Sequence, residues 1–469
     1  MIKKYFFCTV CLFASASFAL AQTSEPQKEK VEILGTNTIE RNPEISDASR
    51  LLGNVRLGMG DVVLSCDSAY RFNDGTFEVF SNVRVRQEGD TELTADYAIL
   101  DPNTATITVR TDVEFRSEDL VLVCNELYYD LESKLVSYYS RATIVDGERT
   151  LESNLGTYSS STQMLYAGGN VIIEEGLDFI ASDSLALDRG NSTLYLFQRS
   201  HLDVGGALIN CGRGVFAGET EEGWFADNAS VFDHSGYLAG DSIVVARQAG
   251  EGTAWGNVVV RDSSKALTVT GSYANRKDDV EIILGDSIVP AIAMNVENSD
   301  TLILGAVKLR KDGDWLYAID EVEFEQAEFS GEGDSLSWDL NTDEVWLLGN
   351  PVVRSIKEEL IGDSVRMIIV DNMPSVLSLL GHAKVLSVAN DSLKNEIKGK
   401  TLDAQFRDGE LFQVDIHGNG NVLYYTVDDP ENISENKATC SHIRMLFREG
   451  EVSSITLLTS PEGSVKNLD

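Results

Sequence analysis

The chain has 469 residues, 43% of them hydrophobic and 24% charged, with 75 acidic against 38 basic side chains and a formal net charge of −37. That balance excludes a nucleic-acid binder, whose phosphate contacts need Lys and Arg, and it disfavours simple docking on an anionic membrane surface. The acidic side chains are read first as the solvated outer faces of a long stack and only second as groups that share divalent cations with an anionic ligand.

At the start of the chain, Lys3 and Lys4 precede an apolar run from Tyr5 to Leu20, and Ala19-Leu20-Ala21 supplies the small residues of a cleavage site. Residues 1–21 therefore read as a secretory signal peptide, and losing its two positive charges takes −37 to −39. Cys8 and Cys11 lie inside the run without the small-residue context of a lipoprotein site. No later segment approaches the ~20 apolar residues that span a bilayer. Residues 22–45 are read as an N-terminal lead-in.

From residue 46 onward the sequence repeats. Asp67, Asp96, Asn125, Asn154, Asp183, Gly212 and Asp241 follow at intervals of 29 residues. Three positions before each stands an aliphatic residue: Leu64, Leu93, Leu122, Leu151, Ile180, Ile209 and Leu238. One position before each stands a small one: Cys66, Ala95, Cys124, Ser153, Ser182, Cys211 and Gly240. A fixed period of this size marks a solenoid, propeller or array. A second landmark, Gly53-Asn54-Val55, Ser81-Asn82-Val83, Thr111-Asp112-Val113, Gly169-Asn170-Val171 and Gly256-Asn257-Val258, places a turn-type pair before a β-branched residue. Each unit thus reads as turn, strand, corner, strand. The repeat covers 46–250 and continues divergently over 251–450, with Asp334, Asp363 and turn landmarks at Gly349-Asn350, Gly381-His382 and Gly420-Asn421. Stretched spacing predicts inserted loops between about 285 and 325 and between 381 and 420, and residues 451–469 are read as a C-terminal tail. Whether the repeats form one continuous domain or two meeting near 250–300 stays open.

Stretches such as Val83-Arg84-Val85-Arg86 and Thr106-Ile107-Thr108-Val109 alternate or are β-branched, and no helical-length 3.6-period run follows residue 45, so the chain is all-β. At the corner the apolar phase changes: it sits at −3 and −1 before the Asp and at +2 and +4 after it, as in Ala98 and Leu100. Keeping both sets inward needs one extra residue there, which a β-bulge supplies. The corner carboxylates and carboxamides, Asp67, Asp96, Asn125, Asn154, Asp183 and Asp241, are assigned a structural role at exposed backbone amides.

Cys66, Cys124, Cys211 and Cys440 remain after cleavage. Three of them occupy one inward slot two or three repeats apart, beyond the ~7 Å reach of a disulfide, so buried free thiols are expected. No metal-ligand spacing exists, the five histidines His201, His234, His382, His417 and His442 are scattered, and no cofactor motif appears. A catalytic pair would break the repeat at one place. Tyr128-Tyr129, Tyr138-Tyr139 and Tyr424-Tyr425 suit cross-strand packing more than a sugar-binding groove.

The run Leu52-Gly53-Asn54-Val55-Arg56, then Leu64-Ser65-Cys66-Asp67-Ser68-Ala69-Tyr70, Ser81-Asn82-Val83 and Leu93-Thr94-Ala95-Asp96, resembles the OstA-like group of the LptA and LptD N-terminal superfamily, in particular the long periplasmic OstA-like proteins of Bacteroidetes. The resemblance is specific over residues 31–245 and looser to 450. It implies an elongated twisted β-jellyroll, an LptA-like solenoid of ~29-residue repeats, with lipopolysaccharide acyl chains against Leu64, Leu93, Leu122, Leu151, Ile180, Ile209 and Leu238. It further implies a non-enzymatic lipopolysaccharide-transport role in the periplasm, with association to the outer membrane. The implied partners are other Lpt-type jellyroll proteins or a second copy, joined by edge-strand addition, and an outer-membrane assembly barrel. Two other classes stay open: a secreted β-solenoid enzyme acting on carbohydrate, which should carry a local cluster of carboxylates, Lys and Arg, and a structural or adhesive protein.

Overall fold

A computed structural model describes residues 30–468, apart from 42–47, 88–90, 235, 263–266, 279, 287, 298–299, 327–328, 356–357, 371–372, 391, 408–409, 430–431 and 449–450. The expected signal peptide lies outside the described residues. Among the described residues all regular structure is β-strand except one 3-10 turn, Arg247–Ala249. No helix is long and apolar enough to cross a membrane. The chain divides into two units, Met1–Glu118 with Val123–Val136 and Asp119–Leu122 with Ser137–Asp469.

In the first unit, the strands Ser49–Met59, Val62–Arg71, Phe77–Gln87, Thr91–Asp101 and Thr106–Ser117 pair antiparallel in sequence order. Each pairing shifts register near its middle. Between Leu52↔Ser68 and Val55↔Cys66, two residues, Gly53 and Asn54, oppose the single Asp67, the two-against-one count of a β-bulge. Burial alternates on both sides of the bend but out of phase: Val62, Leu64 and Cys66 are buried before Asp67, and Ala69 after it. The strand therefore turns a corner and keeps one face inward throughout, as the apolar phase change predicts.

The second unit uses the same device to run two antiparallel ladders side by side. The strand Met164–Glu175 pairs through Met164–Gly168 with Leu155–Ser159 and through Ile172–Glu175 with Arg149–Ser153. Its neighbour Asp178–Asp188 pairs through Leu185–Asp188 with Thr193–Leu196 and through Phe179–Ser182 with Ser200–Val204. Bent continuous strands thus alternate with strands broken in two at the corner, and the two inward faces oppose each other as the walls of a jellyroll. The pattern continues through Trp315–Gln326 and Phe329–Asp339 to Glu410–Asp429 and Asn432–Arg448.

Several expectations need correction. Gly53-Asn54, Gly169-Asn170 and Gly256-Asn257 do not precede strands as turns; they lie inside strands as the bulged side of the corner, both residues at positive φ, as in Gly169 (71°) and Asn170 (59°), whereas Gly349-Asn350 and Gly381-His382 lie between strands as expected. The landmark expected at Gly420-Asn421 stands instead at Gly418-Asn419, at φ 75° and 54°. Near 285, where the spacing stretches, the described residues 285–286 and 288–290 lie outside strands, with Ile288 and Val289 exposed. Between 381 and 420 the described residues continue as strands, Lys384–Asn390, Leu393–Lys398 and Thr401–Arg407, without a long insertion. The lead-in contains two strands, Glu32–Gly35 and Thr38–Arg41, both paired to Ser49–Met59. The tail contributes Glu451–Leu458 and Glu462–Leu468, paired to Asn432–Arg448.

Candidate functional site

The space between the two inward faces is the candidate site. Leu64, Leu93, Leu122, Leu151, Ile180 and Ile209 are at most 6% exposed, while Leu238 is half-buried. The slot beside the corner is equally enclosed, from Cys66 and Cys124 to Ser153, Ser182 and Cys211. The opposing inward row is also apolar, with Leu100, Ile107 and Val109 in the first unit and Leu165, Leu187 and Phe225 in the second. Alternation explains how one sequence builds both rows: every second side chain of a strand points to the same face, and the corner's extra residue restores the phase.

The corner residues Asp67, Asp96, Asn125, Asn154, Asp183 and Asp241 are all exposed and lie on the outside of the bend. Asn82 Nδ2 donates to Asp67 at 2.7 Å, Asn257 Nδ2 donates to Asp241 at 2.9 Å, and His382 Nδ1 lies 2.9 Å from Asp363. The carboxylate thus holds the tip of the neighbouring bulged pair. Backbone bonds do the same at Asn154, whose N–H donates to both Gly168 and Gly169 carbonyls.

Polar ties close the rim of the slot at two places where sequence reading saw none. In the first unit the inward Gln87 is 5% exposed and donates through Nε2 to both Asp61 carboxylate oxygens at 3.1 Å. The hydroxyl of Tyr129, which lies beyond the corner of its own strand, donates to Gln87 Oε1. Burial pushes the Tyr129 phenol up to about 12. In the second unit Arg189 makes a two-point contact with Asp146, at 2.9 and 2.6 Å, and donates to the Tyr158 hydroxyl at 3.0 Å. Asp146 ends a strand of one ladder, and Tyr158 with Arg189 belongs to the other. Its hydrogen bonds to Asp146, only partly offset by desolvation, raise the Arg189 pKa further above its ordinary value. Tyr129 and Tyr158 stand one 29-residue period apart, and that coincidence was the available signal.

Further along the second unit the rim loosens. Leu238, Val260 and Leu267 share the inward faces of Gly240, Val258 and Val269, yet all three are half-buried. On the other ladder the inward side ends in the paired positions Arg276, Glu281 and Lys311. Arg276 Nε lies 3.6 Å from Glu281 Oε1. An apolar interior is therefore accessible here beside a rim of mixed charge. No group of side chains suited to a metal ion occurs among the described residues, and Cys66, Cys124, Cys211 and Cys440 are free and buried.

The family model for "OstA-like protein" matches residues 28–183. No curated protein matches the chain in sequence. Among solved structures, the chain is similar to LptH from Pseudomonas aeruginosa, described as the LptA-homologous periplasmic component of the conserved lipopolysaccharide transport device. That likeness has 18% identity and a TM-score of 0.22, and covers 24% of this chain and 80% of LptH. Over residues 28–183, where the Asp67, Asp96, Asn125, Asn154 and Asp183 corners recur, the chain is similar to the OstA-like family.

Proposed function

We propose that this chain is a periplasmic, non-enzymatic lipopolysaccharide-transport protein that holds lipid A acyl chains between the two inward faces of its jellyroll. The observation that carries the reading is the inward row itself, aliphatic from Leu64 to Leu238 with no charged residue in that slot. Acyl chains need apolar surface and no directional partner, so a row repeated from strand to strand can accept them at any register. The half-buried Leu238, Val260 and Leu267 are where a chain enters. Among the described residues the outer strands Glu32–Gly35, Thr38–Arg41, Glu451–Leu458 and Glu462–Leu468 each pair with one neighbour, which suits strand addition by another Lpt-type jellyroll protein or a second copy. The chain in this reading bridges inner-membrane machinery to an outer-membrane assembly barrel.

The test is photo-crosslinking in cells making labelled lipopolysaccharide, from a probe at Leu238 or Ile180, with Arg84 on the outer face as control. Adducts at the inward positions and none at Arg84 are expected. No adduct from either inward position in exported, folded protein overturns the lipid reading and leaves a closed core.

A further inference from the structure

We propose that a groove on the outer face of the second unit binds an uncharged oligosaccharide. The groove has a volume of about 860 Å³ and runs beside the corner, across five neighbouring strands from Met164–Glu175 to Glu222–Asp233. At a strand spacing of ~4.8 Å it is roughly 19 Å long, enough for several linked sugar rings. Asn170, Asp183, Arg199, His201, Asn210 and Asn228 line it, with Ile172 and Ala181 as less polar positions and the buried Val171, Ser182, Ser200 and Cys211 behind them.

The bulged pair is missing at this corner, as it is at Ser140-Arg141 one period before Gly169-Asn170. Counting by 29 from Gly169-Asn170 reaches Gln198-Arg199 and then Asp227-Asn228. The pairs 169–170 and 227–228 keep positive φ, whereas Gln198 and Arg199 do not. The facing corner slot at 212 also carries Gly in place of a carboxylate. At Asp67 and Asp241 the corner carboxylate is satisfied by the Asn of a bulged pair. Asp183 meets Arg199 at that position, held by a bond from its backbone N–H to the Arg199 carbonyl at 3.2 Å. Among the described residues the side chains of Asn170, Asp183, Arg199 and Asn228 have no hydrogen-bond or ion-pair partner. A carboxylate, a guanidinium and two carboxamides are thus presented together, a set that pairs with the adjacent hydroxyls of a sugar ring.

Charge selects the ligand class. Asp227 is neutralised by Arg213 at 3.0 Å, and Asp183 is accompanied by Arg199, so the groove is close to neutral on a chain of net charge −37. A phosphorylated or acidic ligand would meet a repulsive field from the whole protein; an uncharged polyol would not.

The experiment is isothermal titration calorimetry of the purified chain with chitotetraose, maltotetraose and mannotetraose, and with tetragalacturonate as the charged comparator. Asp183→Ala and Arg199→Ala are the test variants and Arg84→Ala the control, with thermal melting to show that each folds. At least one uncharged tetrasaccharide is expected to bind. Each test variant, losing a charge-assisted hydrogen bond, should weaken it about tenfold or more at unchanged Tm, and Arg84→Ala should leave it unaltered. Failure of all three uncharged sugars, binding by tetragalacturonate alone, or binding indifferent to both variants overturns the proposal. None of these outcomes depends on a lipid in the slot.

Discussion

Cys66, Cys124 and Cys211 stand at one position of the repeat, and burial raises each thiol to about 11. Tyr129 is raised to about 12 for the same reason. A folded-state pKa above the unfolded one favours the protonated group in the fold. The stabilisation is complete below the unfolded values, about 9 for a thiol and 10 for a phenol, and is lost as pH rises through the folded ones. The urea midpoint should therefore hold steady from pH 7 to about 9 and fall from there toward 12; a midpoint flat to pH 11 would contradict the assignment. The same burial makes the thiols inert, so a thiol reagent at neutral pH should label none of Cys66, Cys124, Cys211 and Cys440 until urea is added. Arg189 and Asp146 belong to the same scale. Their side chains are 9% and 19% exposed, and breaking such a pair leaves a poorly solvated charge behind, at a cost of about 3 kcal/mol. Arg189→Ala should lose about that much in denaturant unfolding, whereas Arg189→Met with Asp146→Leu should lose much less, because no charge is stranded.

At the scale of the element, the corner was legible before the structure because the change of apolar phase at Asp67 or Asp96 has few physical solutions. What the sequence left ambiguous was the side of the bend on which the left-handed residues stand. A Gly-Asn pair satisfies the backbone of a hairpin turn and of a bulge equally well, and only the pairing of Leu52 with Ser68 and Val55 with Cys66 shows that Gly53-Asn54 is the bulge. The strands of the lead-in and tail were missed because Thr38–Arg41 and Glu462–Leu468 are polar and mostly exposed, with no inward face to give a period. The rim ties were missed because Gln87 and Tyr129 are 42 positions apart, and Asp146 and Arg189 are 43 apart. The corner's own geometry gives a test. A Cβ on Gly256 would sit 2.7 Å from Asp241 Cγ at a φ of +67°, so Gly256→Val combines a clash with backbone strain and should cost about 2–3 kcal/mol. Asn257→Ala removes one exposed hydrogen bond to the same Asp241 and should cost about 1 kcal/mol or less. A chevron or equilibrium series that ranked the two variants the other way would show that the Asp–Asn contact, not the bulge conformation, holds the corner.

For the lipid-carrying role proposed above, what matters is how access to the slot varies along the second unit. Near Arg189 the rim is tied across the ladders and Leu151, Ile180 and Leu187 are at most 6% exposed. Around Leu238, Val260 and Leu267 the same inward face is half-buried. An acyl chain entering where the rim is open and moving along the row must pass the Arg189–Asp146–Tyr158 tie to reach Leu151. Opening that tie costs little if polar partners are replaced by apolar side chains of similar size, and the corner keeps the walls joined. The lipid adducts from photo-crosslinking probes should accordingly be heaviest at Val260 and Leu267 and weaker at Leu151 and Ile180. In the Arg189→Met, Asp146→Leu chain the adducts at Leu151 should rise severalfold while those at Val260 stay constant. An even profile in the parent chain, or one that the double variant leaves unchanged, would mean that the tie stabilises the jellyroll without controlling passage through it.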